Sequence, residues 1–193
     1  NRFELRDSEI SIEVNPDDVT QDQLTLWKSV GVNRLSLGVQ SFDDDVLKFL
    51  GRCHDRTSAH QACTRIADTF ENWGLDLIFG CKPSAPWASS LQTALDYAPT
   101  HLSTYGLTYE QNTPFWQQRD TAIDDDIALD QYRSVDVALD EYNHYEVSNF
   151  AKSGYESAHN LIYWRNEEYA GFGPGVVSYL GNQRITNARH IDV

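Results

Sequence analysis

The sequence predicts an α/β protein, part of a parallel (β/α) barrel followed by an aromatic- and glycine-rich C-terminal extension. Three observations predict it. Segments with strand-like alternation are each followed by a helix-period apolar stripe across a short connection, the mark of right-handed βαβ units. The strands pair one aliphatic face with one small-polar face, whereas strands of an ordinary parallel sheet are apolar on both. Finally, Glu13, Gln40, Asp76 and Thr108 fall at or near the C-terminal strand ends, where barrels of this kind place their chemistry. An open doubly wound sheet is the less favoured architecture.

In Glu9-Ile-Ser-Ile-Glu-Val14 the residues Ile10, Ile12 and Val14 share a face opposite Ser11 and Glu13, and Asn15-Pro16 ends the strand. Thr20 and Gln23 fit a capping box for a helix with Leu24, Trp27 and Val30 on its apolar side and Gly31 as its stop. Arg34-Leu-Ser-Leu-Gly-Val-Gln-Ser-Phe42 is the clearest strand, with Leu35, Leu37 and Val39 alternating with Ser36, Gly38 and Gln40. Asp43-Asp-Asp45 opens a short helix containing Val46, Leu47 and Leu50, and Arg52 follows Gly51 in the turn. Ser58 is the expected cap of the next helix, whose stripe is Ala59, Ala62, Cys63, Ile66, Ala67 and Phe70. Leu75-Asp-Leu-Ile-Phe79 is the third strand, with Asp76 and Ile78 on one face. Pro86 suits the start of a helix burying Trp87, Leu91, Ala94, Leu95 and Ala98. In His101-Leu-Ser-Thr-Tyr-Gly-Leu-Thr108 the expected inward face is Thr104, Gly106 and Thr108. Asp124 to Asp126 open a longer helix with Ala128, Tyr132, Val135, Leu139 and Tyr142 as its core stripe, and a fifth strand is expected over 145–150.

At 193 residues and 40% hydrophobic content the chain can bury one sizeable core. The expected division is a barrel portion at 1–150 and a distinct C-terminal region at 151–193. A net charge of −14 argues against nucleic acid or an anionic membrane as the main partner. No apolar run has the length of a membrane span, and the N-terminus lacks a signal-peptide pattern. Cys53, Cys63 and Cys81 are spaced neither as a disulfide framework nor as metal ligands, so reduced thiols and a cytoplasmic location are expected. The sequence contains no methionine and begins abruptly before a strand, which reads as an internal piece of a longer protein.

Any one of the four strand-end polar residues could cap the following helix; four on equivalent faces read as a ligand site. Beyond residue 150, His159-Asn-Leu-Ile-Tyr-Trp164 precedes Asn166-Glu-Glu-Tyr-Ala-Gly-Phe-Gly-Pro-Gly175. Tyr163, Trp164, Tyr169 and Phe172 lie near one histidine and three glycines, a composition suited to a flat aromatic cofactor. Taken alone, His159 also fits a hydrogen-bonded structural residue, and the glycine run lacks the strand-then-helix setting of a dinucleotide fingerprint.

Glu9-Ile-Ser-Ile-Glu-Val-Asn-Pro16, Asn33-Arg-Leu-Ser-Leu-Gly-Val-Gln-Ser-Phe42, Asp76-Leu-Ile-Phe-Gly80 and His159-Asn-Leu-Ile-Tyr-Trp164 together resemble the radical-SAM family of oxygen-independent coproporphyrinogen III oxidases, the last motif its heme-chaperone branch. The resemblance implies a radical-SAM partial barrel, present here from about its third strand onward. It implies S-adenosylmethionine across the strand ends, held by Glu13, Gln40, Arg52 and Asp76, and by Thr108 and Val177 on weaker matches. It implies heme with His159 as iron ligand; the residues that follow add Tyr163 and Trp164, whose rings suit a porphyrin face, and Arg165 as a candidate propionate partner. The [4Fe-4S] cluster ligands would lie upstream, so this chain alone should be inactive. The implied function is a heme chaperone, with heme-acceptor proteins as possible partners. The alternatives are the oxidase, which decarboxylates coproporphyrinogen III, and an unrelated barrel enzyme using Glu13 and Asp76. The sequence departs from the family at Cys81-Lys-Pro-Ser-Ala-Pro86, where Leu-Pro-Gly-Gln is usual.

Overall fold

The alternating segments fold into neighbouring parallel strands, on which the first of two units, Asn1–Tyr155, is built. The structure is a computed structural model that describes residues 8–81 and 87–189. Residues 82–86, which carry most of the family departure and the helix-opening Pro86, lie outside the described residues.

β1 (Ser11–Val14) runs into a 3₁₀ turn, Pro16–Asp18, and Thr20 caps α1 (Gln21–Ser29), its hydroxyl accepting from the Gln23 amide at 3.2 Å. β2 (Arg34–Gln40) leads to α2 (Asp44–Phe49), capped by the Asp43 carboxylate at 2.9 Å from the Val46 amide. α3 (Arg56–Thr69) begins earlier than expected. Its cap is Asp55, which accepts from the amide and hydroxyl of Ser58, so Ser58 is the capped residue rather than the cap. β3 (Trp73–Phe79), α4 (Trp87–Asp96), β4 (His101–Gly106) and α5 (Asp125–Ala138, capped by Asp124) continue the alternation.

The strand order is β1-β2-β3-β4, in sequence and parallel. A doubly wound sheet would reverse direction at a switch point, so the order is that of a barrel segment. Leu35, Leu37 and Val39 of β2, Leu75 and Leu77 of β3, and Leu102 of β4 bury their side chains beneath the helices, with Leu24, Ala62, Ile66, Leu91, Ala94 and Val135 facing them. Each fully buried Leu, Ile or Val side chain among them contributes about 1.5–3 kcal/mol. Three expected core positions fall outside it: Val30 is 65% exposed as the C-cap of α1, and Ala67 and Ala98 face solvent.

The strand expected over 145–150 forms only from Asn149 onward and runs antiparallel. Residues 145–148 link two short strands, β5 (Asn143–His144) and β6 (Asn149–Ala151), and β6 runs antiparallel to β4. The turn is held locally: the Tyr145 amide donates to Asn149 O, and the Ser148 amide donates to the Glu146 carboxylate at 3.2 Å. Two antiparallel strands need only such a turn, whereas another parallel strand would need a crossover.

The second unit, Glu156–Val193, holds α6 (Ala158–Trp164), capped by Ser157, and a hairpin of β7 (Val177–Leu180) with β8 (Gln183–Thr186). Its glycines serve the chain's own packing at Gly171. A Cβ there would lie 2.5 Å from Val177 O, so the space beside Gly171 is taken by the backbone of the neighbouring segment.

Candidate functional site

The sheet's helix-free face carries the polar half of each strand. Register aligns Glu13 with Ser36, Ser36 with Gly74 and Gly74 with His101, and farther along it aligns Asp76 with Ser103 and Ser103 with Asn149. Asp76 stands in the middle. Its carboxylate accepts from Ser36 Oγ at 3.1 Å and from the Ser103 hydroxyl. Burial pushes its pKa above the ordinary carboxylate range, the two serine hydroxyls and Arg34 pull it down, and nearby Glu13 adds to the rise. Two carboxylates and two hydroxyls thus share a partly desolvated surface suited to a ligand bearing hydroxyl and amino donors.

Gln40 reaches the same face by an unusual route. Its φ is +67°, and the Ser41 amide donates to Val39 O at 2.8 Å, which closes a γ-turn centred on Gln40. Non-glycine residues in this region are strained by roughly 1–3 kcal/mol, and such strain persists where the surroundings over-determine it. They do so here: buried His54 places Nε2 3.0 Å from Val39 O, while Ser90 of α4 lies 3.2 Å from the Ser41 hydroxyl and accepts from the Phe42 amide at 3.1 Å. The turn shifts the β2–β3 register and sends the Gln40 side chain back along the polar face.

Arg52 follows α2, with its amide donating to Leu47 O at 2.9 Å. It lines a cleft of about 300 Å³ with Asn15, Asp17, Asp18, Cys53 and His54. Asn15 belongs to both places, since its Oδ1 approaches the Gly38–Gln40 segment. Glu13, Gln40 and Asp76 therefore share one face, and Arg52 adjoins them through Asn15.

Thr108 is placed differently from expectation. β4 ends at Gly106, and register aligns Thr104 with Leu77 of the aliphatic face and Ser103 with Asp76. The inward residues of β4 are His101, Ser103 and Tyr105, and Thr108 is exposed beyond the strand. Sequence reading missed Ser103 and Tyr105 because both parities of this segment carry polar residues. Tyr105 titrates above its ordinary value through burial, with the Asp76 and Glu146 carboxylates adding to the rise. Beneath this row, Arg34 and His101 are almost wholly buried. Burial and the neighbouring Arg34 charge push the His101 imidazole down to about 3, with Nε2 2.7 Å from the Tyr145 hydroxyl.

In the second unit, His159 and Tyr163 lie one helical turn apart on α6, with ring centroids 4.8 Å apart at right angles. Tyr169 meets Tyr163 edge-on at 4.5 Å, extending the row. His159 is exposed, and Tyr163 and Trp164 are 46% and 57% exposed. Arg165 lies 3.9 Å from Glu167. Val177 belongs to β7, opposite Thr186.

Cys53 is exposed, Cys63 and Cys81 are buried, and none forms a disulfide. Among the described residues no cluster of ligating side chains could hold a metal ion, and no helix is long and apolar enough to cross a membrane.

No family model matches the chain. It is 43% identical over 192 residues to the heme chaperone HemW of Synechocystis sp., covering 95% of this chain and 47% of that protein. It is 39% identical over 194 residues to the heme chaperone HemW of Bacillus subtilis, covering 93% and 50%. The chain thus spans about half the length of these curated relatives. Among solved structures, coproporphyrinogen III oxidase (HemN) from Escherichia coli, a radical SAM enzyme, superposes with a TM-score of 0.79 at 23% identity, over 95% of this chain and 47% of that one. By sequence the chain is a homologue of the HemW proteins, and it is built on the radical-SAM fold seen in HemN.

Proposed function

We propose that this chain is the S-adenosylmethionine-binding part of a heme chaperone of radical-SAM fold. The observation that carries the reading is the gathering of Glu13, Ser36, Gln40 and Asp76 on one polar face, with Glu13 and Gln40 at the ends of β1 and β2 and Asp76 midway along β3. Glu13 and Asp76 would accept from the amino and ribose hydroxyl groups of the ligand, and Gln40 and Arg52 would donate to it. Thr108 stays in the proposed set through the family resemblance alone. When bound, S-adenosylmethionine supplies a sulfonium that a reduced cluster can cleave; this chain's own part is to hold and orient it. The cluster does not fit the residues present. It needs a compact set of thiolates, and Cys53, Cys63 and Cys81 are dispersed, so it would be held outside these 193 residues.

Heme is proposed at His159, an exposed imidazole of the kind that serves as an axial ligand, with Tyr163 against it and Trp164 next in the helix. The net charge of −14 makes the chain a poor general trap for heme propionates, so binding would be local, with Arg165 as the propionate partner. The chaperone is preferred to the oxidase because relatives carrying that name are 39–43% identical, while the oxidase structure supports the fold alone. Delivery to heme-acceptor proteins in a reducing, cytoplasm-like compartment completes the reading, consistent with three thiols outside any disulfide.

The test is a hemin titration of the intact protein followed by Soret absorption, alongside His159→Ala and an assay with coproporphyrinogen III. Heme binding that weakens in the variant, with the porphyrinogen unchanged, is expected. An identical spectrum and affinity in the variant would remove His159 from the site, and conversion of the porphyrinogen would select the oxidase.

A further inference from the structure

We infer that Gly38 is a positioning residue: its missing side chain leaves the space in which the Gln40 amide is held for ligand binding. The inference deepens the S-adenosylmethionine reading and rests on it for the identity of the ligand. A Cβ built on Gly38 would lie 2.8 Å from Gln40 Nε2, closer than real Cβ contacts come, with Val14 O at 3.7 Å and Asn15 Oδ1 at 3.8 Å. Three polar atoms from β1, β2 and the turn after β1 therefore converge on one vacant point. Asn15 Nδ2 in turn donates to Asp18 Oδ2 at 3.4 Å, which carries the polar line into the cleft lined by Arg52.

Glycine is not demanded here by the backbone. Gly38 lies outside the left-handed region, although it is buried in the stretch between Leu37 and Gln40 where the β2–β3 register shifts. The positive φ belongs to Gln40, which the γ-turn forces to fold back over its neighbour two residues earlier. An alanine at position 38 would meet the far end of a flexible side chain, so the amide would move and the strand would stay. Gly38 thus acts through Gln40, without touching a ligand itself.

The experiment is a double-mutant cycle in the intact protein, with S-adenosylmethionine affinity measured by calorimetry and the Gln40 side-chain amide followed by ¹⁵N NMR without ligand. Gly38→Ala should weaken binding by about tenfold, the scale of one hydrogen bond to a charged or well-placed polar group. Gln40→Ala should weaken it similarly, and the double variant no further than Gln40→Ala alone, because contacting residues are not additive. In Gly38→Ala the Gln40 amide resonances should move. Unchanged affinity in Gly38→Ala, or two losses that multiply, would overturn the inference. Should the wild type itself not bind S-adenosylmethionine, the ligand reading falls. The amide resonances then decide the positioning claim: moved, it stands; unmoved, it fails.

Discussion

Replacing Asp76 by asparagine should stabilise the ligand-free protein and weaken S-adenosylmethionine binding at once. The change keeps the volume and the shape of the group that accepts from Ser36 and Ser103, and removes a charge whose pKa burial raises above 3.8. Below 3.8 the carboxyl is neutral in both folded and unfolded chains, so wild type and variant should be equally affected by pH. As pH rises from there through the raised folded value, the unfolded chain ionises more readily than the folded one, and wild-type stability falls. The advantage of Asp76→Asn should therefore open across that window and stay constant above it. Binding runs the other way. An ionised carboxylate offers about four acceptor positions; the two serine hydroxyls occupy part of them and leave the rest for ribose hydroxyls. Losing one hydrogen bond to the charged group costs about 1.5–3 kcal/mol, or about ten- to a hundredfold in affinity. Urea denaturation from acid to neutral pH gives the first quantity, and calorimetric titration of the intact protein gives the second. Unchanged affinity, or lower stability of the variant at neutral pH, would refute the reasoning.

Two other outcomes follow from the buried groups. His101, held down to about 3 from 6.5, stays neutral in the fold while the unfolded chain protonates, so stability should decline as pH falls below 6.5; His101→Gln should flatten this decline by up to about 1.4 kcal/mol per pH unit in urea unfolding, and an identical slope would contradict the buried neutral imidazole. Burial pushes the Cys63 thiol up to about 12 while Cys53 is exposed; a thiol reagent should therefore label Cys53 in the native protein and Cys63 only after denaturation, and mass-spectrometric detection of comparable rates would count against the core placement.

Much of the barrel segment is readable because its signals are local. Leu35, Leu37 and Val39 alternate with Ser36, Gly38 and Gln40, and that period alone assigns β2 its two faces. The stripe Ala59, Ala62, Cys63 and Ile66 fixes the buried side of α3 in the same way. Glu13, Gln40 and Asp76 stand out as the carboxylates and the amide on the non-aliphatic faces of their strands. Helix caps are less secure, because Asp55 and Ser58 are both competent and only the folded backbone decides which accepts.

β4 marks the limit of such reading. In His101-Leu-Ser-Thr-Tyr-Gly both parities carry polar groups, so periodicity cannot choose between Thr104 and Ser103; pairing with β3 chooses, because Asp76 and Ser103 must share a face once Leu75 aligns with Leu102. The γ-turn at Gln40 is equally silent in sequence. It depends on His54, Ser41 and Ser90, the last of which is far away in the chain and reaches the turn only after α4 packs. The sequence by itself determined the βαβ alternation, the aliphatic core and the polar strand faces that carry Glu13, Gln40 and Asp76, since each rests on spacing within one element; that Asp76 stands midway along β3 and not at its end came from the structure. Only the tertiary structure decided which residues of β4 face Asp76, that β6 returns antiparallel, and that Gly38 is the vacancy under Gln40. Those depend on register and on contacts between segments far apart in the chain, which no local pattern encodes.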